Sequence, residues 1–356
     1  MKKIFKPVAL GRLELKNRII RSATVANGGG QNGIITPLLK DIDEKIAKGG
    51  VGLIITGMMG VGYHSCAYPG MIKTYDRTFE TRFREIADTV HANDCKIVVQ
   101  LCHSGISAGV LEEGGRPWGP SAFEIFPGFY TREMTKADIQ RVCTDFGNAA
   151  RHCKNAGADG VQIHAAHGFL LNQFLSPYFN KRTDEYGGPI ENRARIVIEV
   201  YEAIRQAVGD ESPILMKINY SDLVDGGMTG EECVRVCQLL EPLGLDAVEI
   251  SSGLSVDAGS APTRRPLSDK EGCYTQGALK VAASTKIPVI SVGGYRSAET
   301  IEGVLNAGNI AAISMSRPLI CEPDLPLKWQ KDKTKKSRCV SCNKCFGGLY
   351  GCKVFF

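Results

Sequence analysis

The chain has 356 residues, 43% hydrophobic and 23% charged, with a formal charge of +5. That is enough apolar sequence for a large core, which excludes a disordered chain. The modest charge, partly concentrated in the basic stretch Lys328 to Arg338, argues against a nucleic-acid-binding surface.

The N-terminus MKKIFKPVALGRLELKN lacks an apolar run of signal-peptide length, and no later stretch reaches the ~18 apolar residues of a membrane span. A cytoplasmic protein without membrane attachment is expected. Thirteen cysteines in such a chain should be reduced thiols. Nine are scattered from Cys66 to Cys321, and four crowd into the last eighteen residues.

Short β-branched runs recur in chain order: Arg18 to Ser22, Val51 to Thr56, Lys96 to Leu101, Asp159 to His164, Ile214 to Ile218, Ala247 to Ser251, Pro288 to Val292 and Ala311 to Met315. Helical periodicity fills the gaps: Leu38 to Lys48, Phe79 to Ala92, Thr135 to Ala156, Glu191 to Val208, Thr229 to Leu243, Gly277 to Ser284 and Ser297 to Asn306. Thr135, Thr229 and Ser297 are placed as N-caps. Alternating strand and helix requires parallel strands with right-handed crossovers, and eight repeats close into a barrel. A doubly wound sheet competes, but the closest approach to a dinucleotide fingerprint, Gly49-Gly50-Val51-Gly52, precedes a strand instead of following one. The expected architecture is α/β, a single (β/α)8 barrel over residues 1–327, followed by a basic, cysteine-rich tail over 328–356.

In a barrel the C-terminal strand ends face the active site. The fourth run delivers His164 and His167, two imidazoles able to donate to one anionic or carbonyl oxygen; the alternative is one core histidine and one capping a helix. The third ends near Gln100, whose amide suits the edge of a uracil-like ring, or is merely a polar strand end. The fifth carries Lys217 among apolar residues, a cation at the mouth or the partner of a carboxylate. After the seventh and eighth come Gly293-Gly294 and Arg317, where backbone N–H groups and a guanidinium can bind phosphate. Together these features describe a site for flavin mononucleotide.

The motifs FKPVALGRLELKNRI, GGVGLII, VVQLCHSG, GPSA, GADGVQIHAAHGFLLNQFLSPYFNKRTDEYGGPIENRAR, PVISVGGY and MSRPLICEPDL span nearly the whole chain. In them it resembles the Old Yellow Enzyme family of NAD(P)H-dependent flavin oxidoreductases, with its 2,4-dienoyl-CoA reductase-like members. The resemblance implies a TIM barrel binding FMN, with Ala23, Thr24 and Met58 lining the flavin and Gln100 on its pyrimidine edge. It also implies Lys217 where the family usually has arginine, and Gly293, Gly294, Ser316 and Arg317 at the phosphate. His164 and His167 would hold the substrate oxygen. The implied reaction is ping-pong: NAD(P)H reduces the flavin and leaves, then an electron-poor alkene, an enone, enoate or related acyl compound, takes the hydride. A homo-oligomer is expected, as in many relatives.

The chain also departs from the family. The position two residues after the second histidine, usually a proton-donating tyrosine, is Phe169, so solvent or another tyrosine must supply the proton, with Tyr220 the first candidate. Val25 replaces a residue that often hydrogen-bonds the flavin, which should make the flavin harder to reduce. The tail SRCVSCNKCFGGLYGCKVFF places Cys339, Cys342, Cys345 and Cys352 in a C-x2-C-x2-C-x6-C array. Such thiolates can ligate an iron–sulfur cluster, such as [4Fe-4S], or zinc. The array resembles the cluster segment of multi-domain relatives, with different spacing. A cluster would need an electron-donor protein or a second subunit, and an electron-relay subunit is the alternative reading. Substrate choice is expected to lie in the segments Tyr63 to Met71, Leu111 to Arg132 and Ser255 to Gly272.

Overall fold

The computed structural model describes residues 3–25, 28–111, 115–254, 271–345 and 351–355. Eight parallel strands close on themselves: β1 (Ile19–Arg21), β2 (Leu53–Ile55), β3 (Lys96–Cys102), β4 (Gly160–Ala165), β5 (Ile214–Asn219), β6 (Ala247–Ser251), β7 (Val289–Val292) and β8 (Ile310–Met315). Each pairs with the next, β8 pairs with β1, and β3 pairs with β4, so the barrel has no open edge. Such closure is the (β/α)8 barrel. The strands read as β-branched runs because both of their faces are buried.

Helices α1 (Pro37–Lys48), α2 (Phe79–His91), α3 (Lys136–Asn155), α4 (Arg195–Val208), α5 (Gly230–Leu240), α6 (Thr275–Ser284) and α7 (Ala298–Ala307) surround the strands. Thr135 and Thr229 each form a reciprocal capping box, with Asp138 and Glu232 respectively, and the Ser297 hydroxyl accepts from Thr300 N–H. These three caps lie where the sequence places them. The helix expected from Glu191 is divided: a short turn, Ile190–Arg193, precedes α4, and Ala194 joins the two.

The outward faces of the strands and the apolar faces of the helices form the main core, with Phe83, Phe146 and Val200 fully buried. Inside the barrel lies a separate apolar plug, in which Ile20, Leu53, Val98, Leu215, Ala247, Ile290 and Ala312 meet Leu10, Leu13 and Leu15. Those three leucines come from an N-terminal antiparallel hairpin, Val8–Leu10 with Leu13–Leu15, which the sequence reading did not anticipate. With the plug at one end, only the C-terminal strand ends are left for a ligand.

The insertion after β3 is built of small pairings, Trp118–Gly119 beside Arg132–Glu133 and the hairpin Glu124–Phe126 with Phe129–Tyr130. Most of the expected specificity segment Ser255 to Gly272 lies outside the described residues. No helix among the described residues is long and apolar enough to cross a membrane.

Candidate active site

Two storeys of side chains rise above the plug. Period-two alternation turns Lys217 and Asn219 of β5, and Glu249 and Ser251 of β6, inward together with Gln100, Gln162 and His164. Strand register sets them side by side: Gln100 opposite Gln162, His164 opposite Lys217, and Lys217 opposite Glu249.

The lower storey is a closed polar network. Glu249 is fully buried. Its Oε1 accepts from Ser22 Oγ at 2.7 Å, Ser314 Oγ at 2.6 Å and Lys217 Nζ at 3.2 Å. Its Oε2 accepts from Gln162 Nε2 at 3.0 Å. Lys217 Nζ also donates to Ser22 Oγ at 3.0 Å, and Gln100 Nε2 donates to Gln162 Oε1 at 2.7 Å. Burial opposes the charge on Glu249, yet Lys217 and the donors Ser314, Ser22 and Gln162 outweigh it and bring its carboxyl below the ordinary value.

The upper storey carries the histidines. After β4 the chain turns through two left-handed residues, His167 at φ 64° and Gly168 at φ 78°. Left-handed geometry is uncommon for a side chain larger than glycine, and neighbouring side chains hold it. His167 N–H donates to Asn219 Oδ1 at 3.3 Å and Gly168 N–H to Asn172 Oδ1 at 2.7 Å. Asn172 and Asn219 both donate to Asp222 Oδ1. The turn brings the His164 and His167 rings edge-on at 5.4 Å between centroids, with Phe169 tilted over His164 at 4.9 Å. His167 Nε2 lies 2.7 Å from Ser251 Oγ. His164 Nδ1 is buried and has no hydrogen-bond partner.

Both rings are neutral at ordinary pH. Burial, aided by Lys217, pushes His164 down to about 3 and His167 well below its usual value. Burial also takes His103, which lies beside Trp118, down to about 3. The unfolded chain takes up these protons near 6.5, whereas the folded chain does not until about 3, so the unfolded state binds more protons between those values. Stability should therefore fall as pH drops below about 6.5, by up to about 1.4 kcal/mol per pH unit for each such imidazole. Thermal unfolding between pH 7 and 5 checks this: His164→Asn should flatten the curve, and curves parallel to wild type would contradict the assignment.

Of the other expected site residues, Ser316 Oγ lies 2.7 Å from Thr24 Oγ1 where β8 and β1 end. Ala23 packs on the plug. Met58 and Phe169 pack against the same small cluster of Cys66, Met71 and Cys102. Gly293 and Gly294 have φ of 149° and 71°, so both need glycine.

Two expected site residues, Tyr220 and Arg317, are placed differently. Tyr220 follows inward-facing Asn219 and so turns outward; its ring covers Gly230 and Gly277 of α5 and α6, where a Cβ would meet it at 2.2 Å and 2.5 Å. It does not face the histidines. Arg317 donates to Asn343 Oδ1 at 2.7 Å and Ser341 O at 3.4 Å, and these contacts direct its guanidinium to the tail. Cys339, Cys342, Cys345 and Cys352 line one cavity with Cys321 and Arg317. No three His, Cys, Asp or Glu side chains among the described residues are arranged to hold a metal ion. Cys321, from outside the motif, lies beside Cys352 in that cavity.

Glu249, Gln162 and Asn219 are absent from the sequence-derived site. A carboxylate inside the buried run AVEIS was the available signal, since an unpaired charge is not stable there.

The fit to FMN rests on four features of the mouth. These are the unpartnered His164 Nδ1, the free valences of Gln100, the inward cation Lys217, and the backbone at Gly293 and Gly294, which only glycine can adopt. All surround the C-terminal end of the barrel.

Comparisons with known proteins agree. The profile of the NADH:flavin oxidoreductase / NADH oxidase family matches residues 3–336. An NADH oxidase of Thermoanaerobacter brockii is 33% identical over 352 residues, covering 97% of this chain and 54% of that protein. A cinnamate reductase of Clostridium sporogenes is 32% identical over 373 residues, covering 98% of this chain and 56% of that protein. Among solved structures, 2-naphthoyl-CoA reductase with 2-naphthoyl-CoA superposes with a TM-score of 0.88 at 29% identity, over 96% of this chain and 54% of that one. The chain thus spans about half the length of these relatives.

Proposed function

The chain belongs to the NADH:flavin oxidoreductase / NADH oxidase family, and on that footing we propose that it reduces activated C=C bonds of small enones, enoates or related acyl compounds with NAD(P)H and FMN. The observation that carries this reading is the buried, unpartnered His164 Nδ1 beside His167, with His164 in register with Lys217 on the neighbouring strand. FMN supplies two-electron hydride chemistry when bound. Gln100, Lys217, Ala23, Thr24, Met58, Gly293, Gly294 and Ser316 would hold it.

The protein's own part is electrostatic and steric. Neutral His164 and His167 donate to the substrate carbonyl oxygen and stabilise the negative charge that grows there as the β-carbon is reduced. Each good donor of this kind contributes roughly 3 kcal/mol. The Asn219, Asn172 and Asp222 hydrogen bonds keep the His167 turn in place, so the donors are set before substrate arrives. Phe169 has no proton to give and Tyr220 faces the helices, so the α-carbon takes its proton from solvent or from a tyrosine other than Tyr220. Names of relatives that include cinnamate and 2-naphthoyl-CoA support an unsaturated acyl substrate.

Competition among cinnamate-like acids, their thioesters and simple cyclic enones tests the substrate class. The reading expects NAD(P)H consumption matched by saturated product for at least one of them. NAD(P)H oxidation by dioxygen alone, with no saturated product from any, would overturn it.

A further inference from the structure

We infer that Glu249 is the positioning residue that sets both polar groups facing the flavin, the Lys217 ammonium directly and the Gln100 amide through Gln162. This inference rests on the FMN reading above, since Lys217 and Gln100 act on the flavin only if it lies over them.

An ionised carboxylate only accepts hydrogen bonds. Glu249 Oε2 therefore obliges Gln162 to present its NH2 group, 3.0 Å away. The Gln162 carbonyl oxygen must then face Gln100, which in turn must offer its own NH2 group, at 2.7 Å. One N–H and the carbonyl oxygen of Gln100 remain for a ligand, in a fixed arrangement. A free glutamine amide can rotate by half a turn and exchange donor for acceptor; here the carboxylate two residues away in the chain of bonds forbids it.

The other arm is a charge. Lys217 is buried, and an ammonium in such a place is strongly disfavoured unless paired. Glu249 Oε1 at 3.2 Å is its counter-ion. Ser22, just past the end of β1, and Ser314 of β8 fasten that oxygen from the other side. Four strands thus hold one carboxylate. Without it the ammonium has no buried counter-ion to hold it in place and swings away, and the reduced flavin loses the cation that favours it.

The test is the reduction potential of bound FMN in anaerobic wild type, Glu249→Gln, Lys217→Met and the double variant, with FMN content measured on each. Glu249→Gln should weaken binding of reduced relative to oxidised FMN by about tenfold, a fall of about 30 mV for a two-electron couple. Lys217→Met should move it in the same direction, and the double variant should fall no further than the larger single change. A purely structural role lowers thermal stability and leaves the potential in place. An unmoved or raised potential in Glu249→Gln overturns the inference. Should Glu249→Gln fail to fold, Lys217→Met is compared with Lys217→Met/Glu249→Met, which replaces the pair with apolar groups; a further fall in potential, through the released Gln162 and Gln100 amides, supports the inference, and an equal or raised potential contradicts it. Wild-type protein that cannot be loaded with FMN overturns the cofactor reading itself, whereas loaded protein with an unmoved potential overturns only the role of Glu249.

Discussion

Replacing His164 and His167 together with alanine is expected to lower kcat/KM for the unsaturated substrate by at least a thousandfold, while FMN content stays near wild type. Removing one preorganised donor to a developing oxyanion typically costs 10²–10³ in rate, or about 3 kcal/mol and above. The two rings converge at 5.4 Å and, on the proposed function, serve one oxygen, so their effects should not simply add. His164→Ala alone should account for most of the loss, because its Nδ1 has no other partner, whereas His167 already engages Ser251. Retained FMN is expected because the hydrogen bonds of the lower storey do not involve either ring. Steady-state rates with a matched FMN assay provide the check. Activity within tenfold of wild type would show that the substrate oxygen is bound elsewhere.

The second large effect is a gain. Phe169→Tyr should accelerate reoxidation of the reduced enzyme by an alkene whose α-carbon protonation limits the rate, by about a hundredfold, the lower end of general acid catalysis. The Phe169 ring already lies against His164 at 4.9 Å, so the added hydroxyl is delivered next to the substrate oxygen site without moving the backbone. Single-turnover reoxidation, together with the stereochemistry of deuterium delivered from solvent, distinguishes a positioned acid from water. An unchanged rate and mixed stereochemistry at the α-carbon would mean that protonation is not limiting or that the ring points away from it.

Much of this arrangement is legible in the sequence. The eight strands stand out because parallel strands buried on both faces need uninterrupted β-branched runs, and the helices announce themselves through Thr135, Thr229 and Ser297. The histidine pair is legible for the same reason: it sits where such a run ends. The N-terminal hairpin is not, since Leu10, Leu13 and Leu15 bury their side chains only once the barrel exists to receive them. Tyr220 was misplaced although alternation from Lys217 through Asn219 turns position 220 outward. Arg317 shows a different limit. An arginine beside a phosphate-like glycine pair suits that loop, but the tail offers it Asn343 and Ser341, more than twenty residues along the chain. The tail cysteines meet in one cavity that also takes in Cys321, a residue from outside the motif whose place there the spacing does not announce. Glu249 is recoverable only by pairing strands, because its meaning lies in Lys217 on the neighbouring strand.

The central claim is that this barrel mouth binds FMN and passes electrons from NAD(P)H to an activated alkene. The most direct test is an anaerobic titration of the FMN-loaded protein followed by its visible spectrum. The account predicts that one equivalent of NADH or NADPH bleaches the flavin and that a stoichiometric unsaturated acyl compound or enone then restores it, yielding saturated product. A flavin that NAD(P)H bleaches but that only dioxygen restores, or a protein that takes up no FMN, would contradict it.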